Sequence, residues 1–141
     1  MAAYSDLLTE LTDMVEAVTG LTRHKGPIDG SSVPSQALDG AFVARFAGGG
    51  DTGEQRGARH AYDEHSAVIW LWYALDHNDR LPTDKTALDH VLAIRDAMYA
   101  RGVNLTGTSV TGWTYEMGTE AGGEILKVEI NANLQHSTAV S

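Results

Sequence analysis

The sequence predicts an α+β fold, a mixed or antiparallel sheet of at least four strands with two helices packed on it, in the order α-β-β-α-β-β. Three observations predict it. Two segments place apolar residues at helical spacing, four others carry apolar runs or strict alternation, and clusters of Gly, Pro and Asp separate them. A chain of 141 residues fits one domain, here taken as 1–141.

From Ser5 to Val18, Leu7, Leu8, Leu11, Met14, Val15 and Val18 line one face, with acids and threonines opposite. Ser5 is a plausible N-cap and Gly20 a stop. Residues 22–40 hold two prolines and three glycines among polar residues, which predicts a long connection, a candidate for contact with a neighbour. Ala41–Ala47 (AFVARFA) reads as a strand. The stretch 48–57 (GGGDTGEQRG) has five glycines. It lacks the lysine of a phosphate-cradling loop and precedes a strand, so it reads as a hairpin tip that orders on docking and adds little to the core.

Arg59–Leu75 is long and β-rich; Ala67–Leu75 is apolar on both faces, as a central strand requires, while its polar first half reads as projecting beyond the core. Residues 76–82 (DHNDRLP) form a turn. Thr83 is the expected cap of a helix to Arg101, with Leu88, Val91, Leu92, Met98 and Tyr99 as its apolar stripe and Gly102 as its stop. Thr108–Met117 and Glu124–His136 close the order as a hairpin around GTEAGG. Leu126, Val128, Ile130, Ala132 and Leu134 alternate with polar residues there, the mark of a strand with one wet face. Ile69, Leu71, Leu88, Leu92, Val128 and Ile130 are the expected core.

Composition narrows the function. The formal charge is −9, from 19 acidic and 10 basic residues, the wrong sign for gripping nucleic acid through its phosphates. Cysteine is absent, which removes disulfides, thiolate nucleophiles and Cys-based zinc sites. No stretch has the length of a membrane span, and the acidic N-terminus lacks the basic start of a secretory signal, so synthesis in the cytoplasm and no membrane partner are expected.

The six histidines raise a metal hypothesis, densest at His60, Asp63, Glu64 and His65. On a strand His60 and His65 point to opposite faces, and the i, i+4 pair of HExxH is missing, so these read as solvated polar residues on a projecting hairpin. Asp76, His77 and Asp79 sit ahead of a helix, where Asx side chains bond to the backbone. No nucleophile turn accompanies them. Trp70 and Trp72 share a face and can serve as core or as intersubunit anchors. No catalytic, cofactor or metal residue is assigned. The interface candidates are Gly49, Gly50, Asp51, Glu54, Arg56, Arg59, Trp70 and Trp72.

The layout resembles the tail terminator proteins of long-tailed bacteriophages. The likeness is carried by LLTELTDMVEAV, by the AFVARFA to RHAYDEHSAVIWLWYAL hairpin, by TDKTALDHVLAIRDAMYARG and by WTYEMGTEAGGEILKVEINANLQH. It implies a homo-oligomer, a hexameric ring in the virion neck that caps the tail tube protein and meets the head connector or stopper protein. DNA would pass through an acidic lumen without specific binding. The resemblance implies no catalytic residue and no cofactor. The competing readings are another head-tail connector or head-completion protein, a small metal-dependent hydrolase using His60, Asp63, His65 or His77, and a ligand-binding domain with the Trp/Tyr strand lining a pocket.

Overall fold

The computed structural model describes residues 4–25, 39–55, 60–100, 105 and 108–139. Its elements are helix α1 (Tyr4–Thr19), strands β1 (Thr22–Arg23), β2 (Ala41–Gln55) and β3 (His60–Ala74), helix α2 (Leu81–Tyr99), and strands β4 (Thr108–Glu120) and β5 (Ile125–Ala139). The strands form one sheet in the order β1-β2-β3-β5-β4. β1 is parallel to β2 and all other neighbours are antiparallel, so the sheet is mixed and the fold is α+β.

Helix α1 forms where expected because Leu7, Leu11, Met14 and Val15 recur on one face and are buried. Thr9, Thr12 and Thr19 donate their hydroxyls back to the carbonyls of Ser5, Leu8 and Val15. Gly20 takes φ +72° and returns its N–H to the Glu16 carbonyl at 2.9 Å, which ends the helix. The expected connection 22–40 opens with a pairing that the sequence does not signal. Thr22 and Arg23 add a two-residue parallel strand beside Ala41 and Phe42. Most of that connection lies outside the described residues.

The glycine-rich stretch is a correction. Residues 48–55 are not a loop at the tip; they continue β2, with Gly48, Gly49, Gly50 and Asp51 paired to Ser66, His65, Glu64 and Asp63. Register shifts between Phe46 and Gly48 and between Asp51 and Gln55 absorb the irregular sequence. Glycine is required at position 49, where a Cβ would lie 2.6 Å from the Glu64 carbonyl oxygen and against the His65 ring.

Helix α2 starts at Leu81, two residues before the expected Thr83 cap. Pro82 occupies the first turn, where its missing N–H is harmless, and Asp79 accepts the Leu81 N–H at 3.1 Å. The helix ends at Tyr99; the expected ends at Arg101 and Gly102 lie outside the described residues. The closing hairpin turns through a 3-10 turn at Ala121–Gly123, where Gly122 and Gly123 take φ +68° and +91°.

One face of the sheet carries both helices. α1 packs on β1 and β2, α2 packs on β3 and β4, and the helices touch each other. Phe42, Leu71, Val128 and Met117 form one row across β2, β3, β5 and β4 on that face. Ile69, Leu71, Val128 and Ile130 are fully buried as expected. Leu88 and Leu92 are not: they are 42% and 47% exposed. Val91 and Met98 of the expected stripe are buried, and Ala87 and Ile94 complete the buried face in place of the leucines. A second, smaller cluster of Ala41, Trp72 and Ile125, flanked by Val43 and Trp70, lies on the opposite face.

Candidate assembly interface

Among the described residues the sheet is open at both ends. Among the described residues β4 pairs only with β5, leaving its outer edge without a strand partner over Thr108–Glu120. At the other end, again among the described residues, β1 pairs with β2 at Ala41 and Phe42, and from Val43 onward β2 pairs only with β3. Such edges present rows of backbone donors and acceptors ready to pair with another chain.

The helix-free face carries an ordered polar group centred on Trp70. Its indole N–H donates to Glu129 Oε1 at 2.8 Å, and the Asn131 amide donates to the other carboxylate oxygen at 3.4 Å. The Arg45 guanidinium and the Lys127 ammonium lie 5.2 Å and 5.1 Å from the ring centre. The indole hydrogen bond holds the Glu129 carboxyl below its usual range; desolvation opposes this, and Asn131 and Lys127 add to it. Lys127 also pairs with Glu120 at 3.2 Å. Trp70 is half-buried, its aromatic surface partly available. Trp72, on the same face, is only 1% exposed and its indole N–H finds no partner among the described residues. It is a packing residue in this chain.

The other interface candidates are scattered along the first hairpin. Gly49 and Gly50 are exposed on β2. Asp51 pairs through its backbone with Asp63, and Glu54 lies near the end of β2. Arg56 and Arg59 lie outside the described residues.

The polar first half of β3 is the larger correction. Asp63 and His65 are 4% and 7% exposed rather than solvated, and they share the helix-bearing face with buried Thr108 and His136. His65 Nδ1 and His136 Nε2 are 2.9 Å apart, their rings stacked at 5.0 Å. Tyr4 of α1 meets both rings edge-on at 4.3 Å and 5.5 Å, and Phe46 lies 4.9 Å from His65. Burial pushes the His136 imidazole below its ordinary range; His65 adds to this and Asp63 opposes it. His136 Nδ1 has no hydrogen-bond partner among the described residues. One hydrogen bond between two imidazoles requires at least one of them neutral, so the pair suits a dry structural contact.

Sequence reasoning missed His136 because its partner is remote along the chain. The signal was present, since it continues the buried phase Leu126, Val128, Ile130, Ala132 and Leu134.

Among the described residues no three of His, Asp and Glu converge in a way that could hold a metal ion. His60 pairs through its backbone at the far end of β3, and His77 is exposed in the turn before α2. There the Asp76 carboxylate accepts the Asn78 N–H at 2.9 Å, the backbone role expected of these residues. His90 Nδ1 lies 2.8 Å from the Tyr73 hydroxyl. Burial pushes the Tyr73 phenol up and the His90 imidazole down, the latter opposed by Asp89. No described helix is long and apolar enough to cross a membrane.

No family model matches the chain, and no curated protein matches it. Among solved structures, a chain of the virion of the native gene transfer agent (GTA) particle superposes with a TM-score of 0.54, covering 96% of each chain at 12% identity. At that identity the likeness is one of fold. The type 4 fimbrial biogenesis protein PilO from Pseudomonas aeruginosa aligns over 97% of this chain and 73% of its own at 8% identity, with a TM-score of 0.34, too low to carry an argument.

Proposed function

We propose that this chain is a structural protein of a phage-type virion, a tail terminator that closes into a ring on the end of the tail tube and offers its other side to the head connector or stopper protein. The observation that carries the reading is the whole-length likeness of fold to a chain of a phage-like particle. The sheet supports it. A heterologous contact repeated around an axis needs two different, complementary surfaces on each subunit, and the open edges of β4 and β2 stand at opposite ends of one sheet. The charge fits as well. A chain at −9 gives DNA few cationic contacts, so the duplex slides past instead of sticking.

In this reading the protein transforms no substrate. Its work is geometric: it presents one ring to the tube, another to the connector, and a passage between. The six-fold ring is the expectation. Sedimentation and native mass measurement of the purified chain, alone and with polymerised tail tube protein, test it. A species six times the 15.1 kDa chain is expected, formed in solution or on tube ends. A chain that stays monomeric under both conditions refutes the proposal.

A further inference from the structure

The outer side of α2 carries a second apolar stripe with cations set into it. Leu81, Leu88, Leu92 and Tyr99 are between 42% and 58% exposed, and Lys85 and Arg95 fall between them. Counted together, the six recur at alternating steps of four and three residues, the spacing of a seam between two helices. Large apolar side chains aligned in solvent differ from the scattered exposure of an ordinary surface.

The stripe faces the β4 end of the sheet. On one flank of α2, His90 Nδ1 lies 2.8 Å from the Tyr73 hydroxyl of β3, and Ala93 and Ala97 on that side are half-buried. The stripe lies on the opposite flank, where Tyr99 lines a shallow groove with Thr108, Ser109 and Val110 of β4. The start of α2 lies beside the turn that follows β4, since the residues leading into it, from Leu75 to Arg80, line one cleft with Gly123. Helix and edge strand therefore run side by side in opposite directions. Their midpoints, His90 and Thr114, come level with each other.

We infer that two free copies of the chain pair about a two-fold axis through these midpoints, β4 against β4 in one layer and α2 against α2 in the layer above. A two-fold axis normal to the sheet sets an edge strand antiparallel to its own copy, so strand direction agrees. About Thr114, Trp113 meets Tyr115 of the second copy. Both stand on the helix-bearing face, opposite Ala132 and Ile130 of β5, and Tyr115 is 44% exposed. Aromatic pairs across neighbouring strands stabilise a sheet. On the other face Glu116 meets Gly112, so no carboxylates are set against each other. The register shift between Val110 and Gly112 confines smooth pairing to the centre of the strand.

The α2 stripe is complementary to itself about the same axis. Turned end for end, Leu88 packs on Leu92 of the second copy, and Leu81 on Tyr99. Lys85 and Arg95 come level across the seam, but their long stems carry the charges to its rim. There Lys85 meets Asp96 of the second copy and Arg95 meets Asp89, both exposed carboxylates. Arg95 contacts Asp96 within its own chain at 3.0 Å, an exposed pair that can be exchanged at little cost. The paired form covers the β4 edge, which an edge strand left bare would offer to any other chain. It is a capped state of the chain off the tail, and a ring seam that uses β4 must displace it.

The test is sedimentation of the full chain without tail tube protein, after circular dichroism confirms folding of each variant. A species of twice the 15.1 kDa chain is expected. Leu88→Asp with Leu92→Asp should raise its half-dissociation concentration by at least about tenfold. Lys85→Glu and Asp96→Lys should each raise it roughly threefold to tenfold, and combining the two in one chain should restore pairing, because the ion pair across the axis is then only reversed. As a second measurement, Thr114→Cys in this cysteine-free chain should give a disulfide-linked pair under mild oxidation, since directly opposed strand positions lie within reach of such a bond. Ser66→Cys, exposed on β3 away from the edge, should stay single.

A wild-type chain that is monomeric off the tail, or that forms only six-fold rings there, overturns the inference. So does pairing that survives the leucine substitutions, pairing that the combined charge exchange fails to restore, or cross-linking no faster at Thr114→Cys than at Ser66→Cys. The ring is read separately, on tube ends. Rings formed there by a chain that never pairs leave the proposed function standing without this contact. A two-fold dimer that never caps a tube end leaves the contact standing without the ring.

Discussion

Replacing Val128 with aspartate tests which face of β5 is buried, and its size can be worked from the packing. Val128 is 0% exposed and stands between Leu71 on β3 and Met117 on β4 beneath the helices. Removing its isopropyl group from that position forfeits roughly 2 kcal/mol of transfer free energy. The carboxyl that replaces it has no cation in the row. To remain buried it must stay protonated at neutral pH, which costs about 1.4 kcal/mol for each of the roughly three units between the free carboxyl pKa and pH 7, about 4 kcal/mol.

The total, roughly 6 kcal/mol, is comparable to the whole stability of many domains, about 5–15 kcal/mol. Val128→Asp should therefore be largely unfolded at pH 7. Val128→Ala should stay folded with a loss of about 2 kcal/mol, a fall in Tm of about 6–8 °C for a chain of this size. Urea titration followed by tryptophan fluorescence measures both. The sign of the pH effect follows from linkage. The introduced carboxyl has a folded pKa above its unfolded value, so its penalty is full above the folded pKa and fades as pH falls toward the unfolded one. The gap between variant and wild type should narrow on acidification. An unchanged urea midpoint for Val128→Asp would show that the strand is phased the other way.

Three further outcomes are expected. Gly49→Ala should destabilise by about 1–3 kcal/mol, because the added methyl meets the His65 ring and the Glu64 carbonyl, whereas Gly50→Ala, with open space around it, should cost little; equal denaturation midpoints would contradict the close approach. His136 and His90 both have folded pKa values below the unfolded value, so their contribution is full above the unfolded value of about 6.5 and declines as pH drops below it. His136→Gln should flatten, without abolishing, the loss of stability between about pH 7 and pH 5; an unaltered profile would remove the buried pair from the account. Leu88→Ser and Leu92→Ser should each shift monomer stability by no more than about 0.5 kcal/mol, since both side chains are exposed; a loss of core size, seen as a fall in Tm of several degrees, would return these leucines to the interior.

The fold was legible in the sequence wherever one face is wet and the other dry. Strand β5 and helix α1 announce themselves by clean alternation at periods of two and 3.6. Helix α2 shows the limit. Its apolar residues span more than one face: Val91 and Met98 of the expected stripe are buried, with Ala87 and Ile94 beside them, while Leu88, Leu92 and Tyr99 are left outside. A second stripe on a helix that already has a core face is the signal that was available and unread.

The polar half of β3 failed for a different reason. Asp63 and His65 are buried because β5, β4 and the first turn of α1 converge on them, and no local pattern reports partners so far away. The glycines of 48–50 imitated a loop because glycine lowers strand propensity, while the ladder to β3 and the room needed by His65 override it. Of the candidate interface, Trp70 is half-buried beside Arg45 and Lys127, an arrangement made by three different strands that no local pattern reports.

The position of β5 bears on how the molecule is made on the ribosome. It is the last strand in the chain order, yet it lies inside the sheet and joins β3 to β4 along their lengths. Until it has emerged, the first hairpin and β4 have no common neighbour, and the apolar rows on both wait in water. A nascent chain of this topology is thus most exposed to holdase chaperones and to misassociation in the interval before β5 emerges. Truncation within β5 should yield two disconnected halves instead of a slightly smaller protein.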